Sequence, residues 1–325
     1  MITMRNVLKF AFLFLVSAFL FTACSKEDDN PFIGGTAQFE ITDAPIDDAS
    51  VQSAFVTVTD IKVDGASISD FSGKQTIDLL AYQKGNTKTL GLAELEAGTY
   101  STVTLVLDYE QDENGNTPGC YVLTEDGTRH DLGNNTNASN EVLISNKTFT
   151  VENDAMTNVV LDFDLRKSVA YDDQGGATDR YEFVTQSEMQ SSVRLVTKAT
   201  AGEITGQCQD NLDLADRIVV YAYTKGTFNK DTEMSGQGAS NIMFSNAVAS
   251  AVVDAQGDYT LAFLEEGDYE LHFIAYQQTA DDKPAEILGE MSLDLLGSVG
   301  IDLLNLKVDA NTSVSVDVEA TALIP

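Results

Sequence analysis

The chain has 325 residues, more than one small domain needs, so we expect two compact domains. It carries 51 acidic and 19 basic residues, a formal net charge of -32. A surface of that sign repels phosphate backbones, which excludes nucleic acid as a partner. The 43% hydrophobic content is typical of a folded protein and not of a disordered tail.

The chain begins with a short basic stretch that leads into an apolar one. Arg5 and Lys9 supply the charge, and residues 10–21 are apolar apart from Ser17. This stretch of about a dozen residues is too short to span a bilayer, which needs about 20. The pattern predicts a cleaved export signal over residues 1–23.

The apolar stretch ends in Leu-Phe-Thr-Ala-Cys at residues 20–24. This string resembles the lipobox of bacterial lipoproteins. The resemblance implies that the Cys24 thiol takes a diacylglyceryl group before cleavage. More than one acyl chain holds a soluble domain stably on a membrane, at about 0.8 kcal/mol per buried CH₂. We therefore expect a lipid anchor at Cys24 with the membrane as partner; ordinary cleavage with an unmodified thiol is the alternative.

Residues 24–35 are predicted to form an acidic tether. Lys26 is followed by Glu27, Asp28 and Asp29. This run resembles the export signal that some Bacteroidota lipoproteins use to reach the outer leaflet of the outer membrane. The resemblance implies an outer-membrane lipoprotein exposed at the cell surface. A solvated tether without an export role is the alternative, because charge runs are common near termini.

From residue 36 onward the apolar residues alternate with other residues, as in segments 103–107 and 159–165. A period of two puts one face of a strand in a core and the other in or near water. Asp-Gly or Asn-Gly pairs at residues 64–65, 114–115 and 126–127 supply the positive φ that tight hairpins need. The predicted fold class is all-β, with two tandem β-sandwich domains behind the signal peptide.

Three motifs mark the first half of the chain: Thr42-Asp43-Ala44-Pro45, then Leu95 to Tyr100, then Leu161-Asp162-Phe163-Asp164-Leu165 with Ser168. Together they resemble an uncharacterised domain that is common in bacterial lipoproteins. The resemblance covers Thr36 to Val196 and implies a β-sandwich over residues 36–200. The family has no established activity to transfer.

A second unit is predicted over residues 201–325. Segments 254–261 and 264–269 look like the strand and turn pattern of carboxypeptidase-regulatory or transthyretin-like domains, which implies another β-sandwich. The string Leu-x-x-Gly-x-Tyr occurs at 264–269 and also at 95–100. The two copies indicate either related sandwiches or convergence on a good turn. Residues 236–240 fall in the least patterned stretch, and such loops often carry binding.

Motifs of known catalytic chemistry are not found. His130 and His272 are the two histidines, and neither lies in a triad or zinc spacing. The chain has no H-E-x-x-H, G-x-S-x-G, P-loop or dinucleotide fingerprint. We therefore expect no enzymatic activity. Cys120 and Cys208 could form a disulfide in an oxidising compartment or remain as two thiols, and spacing does not decide between them.

A weak calcium pattern occurs at Glu110, Asp112 and Asn114, which place oxygen ligands at alternate positions before a Gly. The twelfth position of such a loop should carry an acid, but Tyr121 stands there. A hairpin turn with solvated acids is the alternative. Calcium is thus the one candidate cofactor.

A second cation hypothesis concerns Asp162 and Asp164, which share the polar face of one strand. Together with Asp43, these two side chains could gather a cation.

These features predict a non-enzymatic, lipid-anchored surface protein that acts as a binding or adhesion module, with a glycan or a protein as candidate ligand. An accessory or scaffold component of an outer-membrane complex is the alternative. A carbohydrate-active hydrolase is third, because acid pairs are abundant but sequence does not show their separation.

Overall fold

The computed structural model describes residues 33–46, 48–133, 139–172, 176, 180–279, 284–297 and 301–324. Five residues of the predicted anchor and export signal therefore lie outside the described residues. They are Cys24, Lys26, Glu27, Asp28 and Asp29.

The described residues of the first half form sixteen strands. They are β1 (Gly34–Ala44), β2 (Val51–Val63), β3 (Ala66–Ser67), β4 (Asp70–Phe71), β5 (Gln75–Asp78), β6 (Lys88–Glu96), β7 (Gly98–Tyr100), β8 (Val103–Leu107), β9 (Tyr121–Thr124), β10 (Arg129–Asp131), β11 (Glu141–Ile144), β12 (Phe149–Val151), β13 (Met156–Asp164), β14 (Val169–Tyr171), β15 (Tyr181–Phe183) and β16 (Val193–Thr197).

Two larger sheets of this half pack face to face. One has the order β16-β13-β1-β6-β4, and the other has the order β10-β9-β2-β8-β11 with β3 and β5 also on β2. Their apolar faces share one core, to which Phe39 and Leu161 contribute from the first sheet and Val56 and Leu105 from the second. This arrangement is the β-sandwich that the alternation predicts.

The second half forms nine strands in one sheet, with the order β19-β18-β21-β22-β25-β17-β20; β23 pairs with β21 and β24 with β17. They are β17 (Ala201–Gln209), β18 (Arg217–Thr224), β19 (Ala249–Val252), β20 (Asp258–Glu265), β21 (Gly267–Gln277), β22 (Glu286–Leu295), β23 (Leu306–Val308), β24 (Ser313–Ser315) and β25 (Val318–Ile324).

Helices are short within the described residues: α1 (Leu165–Ser168), α2 (Gln186–Ser192), α3 (Lys230–Glu233) and 3-10 turns at Leu79–Ala81 and Lys198–Thr200. None of the described helices is long and apolar enough to cross a membrane. The all-β fold class is therefore confirmed. Residues Gly34–Pro325 form one compact unit.

Strand β13 differs from the sequence expectation. The alternation predicts a polar face in or near water, but both faces are buried, and Asp162 and Asp164 are 4% and 2% exposed. The reason is that residues of the second half cover this end of the strand, as Phe263 does beside Asp162. Leu165, predicted to continue the strand, instead begins α1.

The two Leu-x-x-Gly-x-Tyr strings adopt the same local structure. Each crosses from one strand into the next, β6 to β7 and β20 to β21. The Tyr100 hydroxyl donates to the carbonyl of Glu96 at 2.8 Å, and the Tyr269 hydroxyl donates to the carbonyl of Glu265 at 2.9 Å. The repeated string therefore has a structural role: the tyrosine ring is packed, and its hydroxyl stabilises the turn between the two strands.

Candidate functional site

The calcium candidate falls in the turn between β8 and β9. Asp112 Oδ1 accepts hydrogen bonds from the backbone N–H groups of Asn114 and Asn116, at 2.9 and 2.8 Å. The Asn116 side-chain amide adds a bond to Oδ2, and its hydrogen bonds lower the pKa of Asp112. Asp112 thus closes the turn, while Glu110 and Asn114 are exposed. Calcium binding here stays a prediction.

The described residues contain no group of three His, Cys, Asp or Glu side chains placed to hold a metal ion. Both histidines are buried and contact aromatic side chains. His130 meets the Tyr181 ring edge to face at 4.9 Å, and His272 stacks on Phe228 at 3.7 Å. His272 Nδ1 also lies 2.6 Å from the Glu290 carboxylate.

Both described cysteines are buried free thiols. Burial raises the pKa of Cys120 and of Cys208 to about 12. A thiol with so high a pKa is a poor nucleophile at neutral pH.

The first and third family motifs meet at one edge of the first sheet. β1 runs parallel to β13, with Thr42 opposite Asp162 and Ala44 opposite Asp164. Asp43 itself lies opposite Phe163, and the carboxylates of Asp164 and Asp162 are near enough to raise its pKa. The sequence predicts a cation site from these three acids, but no three acids among the described residues are placed to hold a metal ion.

The cations beside these carboxylates come from the chain itself. The Arg194 guanidinium pairs with Asp162. Arg166 Nη2 lies 2.6 Å from Asp164 Oδ2, and Lys167 Nζ lies 3.6 Å from the same oxygen. Burial lowers the pKa of Lys167 to about 8, although Asp164 opposes this shift. Sequence reasoning missed these three basic partners.

The surroundings of Asp43 disfavour the charged form of its carboxyl. Burial raises the pKa of its carboxyl well above the usual range, and the nearby Asp164 and Asp162 raise it further. Hydrogen bonds from the Gln83 amide at 3.0 Å and from the Leu165 N–H at 3.3 Å only partly oppose this shift. The shift favours the protonated carboxyl of Asp43, which can donate a hydrogen bond as well as accept one.

The raised pKa of Asp43 predicts a pH-dependent stability. Above about pH 4 the unfolded chain releases this proton while the folded protein retains it, so stability falls as pH rises toward the folded pKa. Asp43→Asn removes the titration, and Gln83 can turn its amide to accept from the new side chain. We expect the variant to gain stability over the wild type from pH 4 to pH 8.

Urea unfolding at pH 4, 6 and 8 measures this difference, with the exposed Asp70→Asn as control. Parallel stability curves for the wild type and Asp43→Asn would show that Asp43 is ionised in the folded protein.

A first cavity of about 210 Å³ opens beside Asp43 at the junction of the two halves. Its walls come from the ends of β1 and β13, from the turn at residues 83–85 and from β19 and β20. The lining residues are Thr42, Asp43, Pro45, Gln83, Lys84, Gly85, Asp162, Ala249, Ser250, Ala251, Val252, Asp254, Thr260, Ala262 and Phe263.

Two residues of this lining have left-handed backbones that side chains rarely adopt. Lys84 has a φ of 56° and Phe263 a φ of 54°. Five of the other six non-glycine residues with positive φ in the described chain are Asp or Asn, which tolerate this conformation. Strain of this kind often marks a functional site.

A second cavity of about 280 Å³ lies near Arg166 and is more apolar. Its lining residues are Ile46, Asp48, Arg166, Val169, Ala170, Tyr171, Tyr181, Ser240, Asn241, Ile242, Met243, Tyr276, Pro284 and Ala285. The loop that sequence analysis singled out reaches this wall through Ser240. Ser240 donates from N and Oγ to the Glu188 carboxylate; burial opposes ionisation, but bonds from Thr185 and Ser240 lower the pKa of Glu188 to about 2.

Residues 34–183 match a family described as a domain of unknown function (DUF4382). The resemblance of the first half to an uncharacterised domain is thereby confirmed over those residues. The matched segment includes Asp43, Asp162 and Asp164, so three of the residues at the junction lie in the part of the chain that is similar to this family. A search of curated proteins found no match.

Solved structures that match this chain are distant. The Bacillus anthracis TIE protein is 11% identical over 88% of this chain and 34% of that chain, with a TM-score of 0.20. The Bacillus cereus major pilin subunit BcpA is 10% identical over 88% and 69%, with a TM-score of 0.21. A leucine-rich repeat protein of Bacteroides thetaiotaomicron is 14% identical over 90% and 27%, with a TM-score of 0.21. This chain spans about a third of the first protein, and such scores carry no functional argument.

Proposed function

We propose that the protein is a non-enzymatic, lipid-anchored surface protein that binds a ligand at the junction of its two halves. The observation that carries the proposal is the first cavity, whose wall holds a buried acid with a raised pKa and two residues with left-handed backbones. Ligand sites are concave and combine apolar surface with a few polar groups, as this cavity does.

The position of the cavity along β1 supports access from the medium. The chain enters this strand at Gly34, which follows the predicted tether, and reaches the cavity at Thr42 and Asp43. Nine residues of extended chain span about 30 Å. The cavity therefore lies at the opposite end of β1 from Gly34.

The proposal keeps two domains, with a boundary near residue 200. Strands β1–β16 and β17–β25 share no sheet among the described residues, and each half has a core cluster of its own. The carboxypeptidase-regulatory or transthyretin-like character of the second half remains part of the proposal.

A binding screen tests the function. The full chain carrying Cys24→Ala, purified from the aqueous fraction, is applied to glycan arrays, to matrix proteins and to cells. We expect at least one reproducible ligand whose binding disappears when the protein is heat-unfolded. No binding in any of the three formats would remove the basis for a binding module.

The proposed location at the cell surface predicts two effects that can be measured separately: loss of membrane attachment and loss of surface exposure. Cys24→Ala removes the acylated thiol, so we expect the protein to leave the membrane fraction for the aqueous fraction. A variant with alanine at Lys26, Glu27, Asp28 and Asp29 should keep the lipid but become resistant to protease added to intact cells. Mass spectrometry of the N-terminal peptide and protease shaving measure both. Retention of the Cys24→Ala protein on membranes contradicts the anchor.

A further inference from the structure

We infer that the first cavity binds a single uncharged, hydroxyl-rich ring, the chemistry of a neutral sugar residue. This inference rests on the proposed function and names the ligand class of that site. It is carried by the charge balance, the polar groups, the apolar wall and the size of the cavity.

The cavity is charge-balanced although the whole protein is strongly acidic. Lys84 Nζ lies 2.6 Å from the Asp254 carboxylate, so these two lining charges satisfy each other. Asp162, another acid of the lining, is paired with Arg194 from outside it. A charged ligand would have to break one of these pairs or enter without a counter-charge, and both are costly. The cavity therefore favours a neutral ligand.

Several polar groups of the lining suit hydroxyl groups. The buried Asp43 carboxyl accepts from the Gln83 amide at 3.0 Å, and its raised pKa favours the protonated form, which also donates; the Gln83 amide both donates and accepts. Ser250 is buried, and its Oγ accepts from Arg166 Nε at 3.4 Å, so its own proton remains to be donated. Groups that both donate and accept match a hydroxyl, which has the same double character.

The opposite wall is apolar. Phe263 is half-buried in the lining, with Ala262 beside it and Ala251 and Val252 from β19. A sugar ring has C–H faces as well as hydroxyl edges, and an aromatic ring can cover such a face. The left-handed backbone of Phe263 turns this residue out of the regular alternation of β20.

The size of the cavity limits the ligand to one ring. Its 210 Å³ corresponds to the volume of about seven water molecules in the liquid, at roughly 30 Å³ each. Pockets for drug-sized molecules begin at about 300 Å³. A terminal sugar residue of a longer glycan therefore fits this description, with the rest of the chain outside.

Calorimetric titration of the Cys24→Ala full chain tests the inference with matched probes. The neutral sugars are glucose, galactose, mannose and N-acetylglucosamine; the charged counterparts are glucuronic acid and glucosamine. We expect at least one neutral sugar to bind, and the charged counterparts to bind at least about tenfold more weakly. Equal affinity for a charged counterpart overturns the inference.

Two variants locate the site. Phe263→Gly removes the ring and suits the left-handed backbone, so the fold is kept while sugar affinity falls at least about tenfold. Gln83→Ala should cause a similar loss. Asn241→Gly makes the same kind of change in the lining of the second cavity, where φ is 53°, and should leave affinity within about twofold. Unchanged affinity in both Phe263→Gly and Gln83→Ala, measured on folded protein, overturns the assignment.

Failure of this inference can be told from failure of the proposed function. Binding of a protein or a charged glycan in the screen, with no neutral sugar bound, removes the sugar assignment and leaves a binding module. Absence of every ligand removes both.

Discussion

Replacement of Arg166 with Met is expected to lower the free energy of unfolding by about 3–5 kcal/mol and the Tm by on the order of 10 °C. The guanidinium is 5% exposed and pairs with Asp164. It also donates to the carbonyl of Phe244 and lies 5.6 Å from the Tyr221 ring, both in the second half. The variant removes the ion pair with the buried Asp164 carboxylate. It also removes the contacts of Arg166 with Phe244 and Tyr221, which join the two halves.

Two further variants separate the causes of this loss. Arg129→Met removes an exposed guanidinium that lies over the Tyr121 ring, and should cost less than about 1 kcal/mol. Asp164→Asn combined with Arg166→Met removes both buried charges and should recover part of the stability. Chemical denaturation measures all three. If Arg166→Met lowers the free energy of unfolding by as little as Arg129→Met does, the contacts of Arg166 contribute little to stability.

The parts of the fold that sequence predicts are those set by neighbouring residues. The alternation over 103–107 becomes β8, and the Asp64-Gly65 pair forms a hairpin turn in which both residues have positive φ. The string that ends at Tyr269 predicts a turn into a strand because its donor and acceptor are four residues apart. For these strands and turns, the spacing of residues close together in the sequence is enough to predict the structure.

The site depends on contacts that spacing does not record. Asp43 and Gln83 are 40 residues apart, and Arg166 meets Phe244 across 78 residues. The period of two predicts that the β13 acids face solvent, and burial by the second half makes that prediction wrong. One sequence feature could have indicated the site: the strand with Asp on its polar face is followed closely by Arg166 and Lys167. A buried acid requires a nearby cation, so this pairing suggests burial.

The loop beside the second cavity depends on one buried carboxylate, Glu233, which is 1% exposed. The Tyr223 hydroxyl and the Asn246 backbone N–H donate to its Oε2, at 2.9 and 3.2 Å. The Asn246 and Gln237 side-chain amides donate to its Oε1. Three of these bonds tie the short helix α3 to both ends of the loop that reaches Ser240, and the bond from Tyr223 ties the helix to β18.

Replacement of Glu233 with Ala removes four acceptor contacts at once. Because each buried donor that loses its acceptor costs about 1–3 kcal/mol, we expect a total loss of about 3 kcal/mol or more. Hydrogen exchange should speed up in residues 235–247, which include one wall of the second cavity, before it does in β18. The exposed Asp231→Ala in the same helix should change stability by no more than about 0.5 kcal/mol. Uniform exchange throughout the second half would show that Glu233 supports the whole sheet and not the loop.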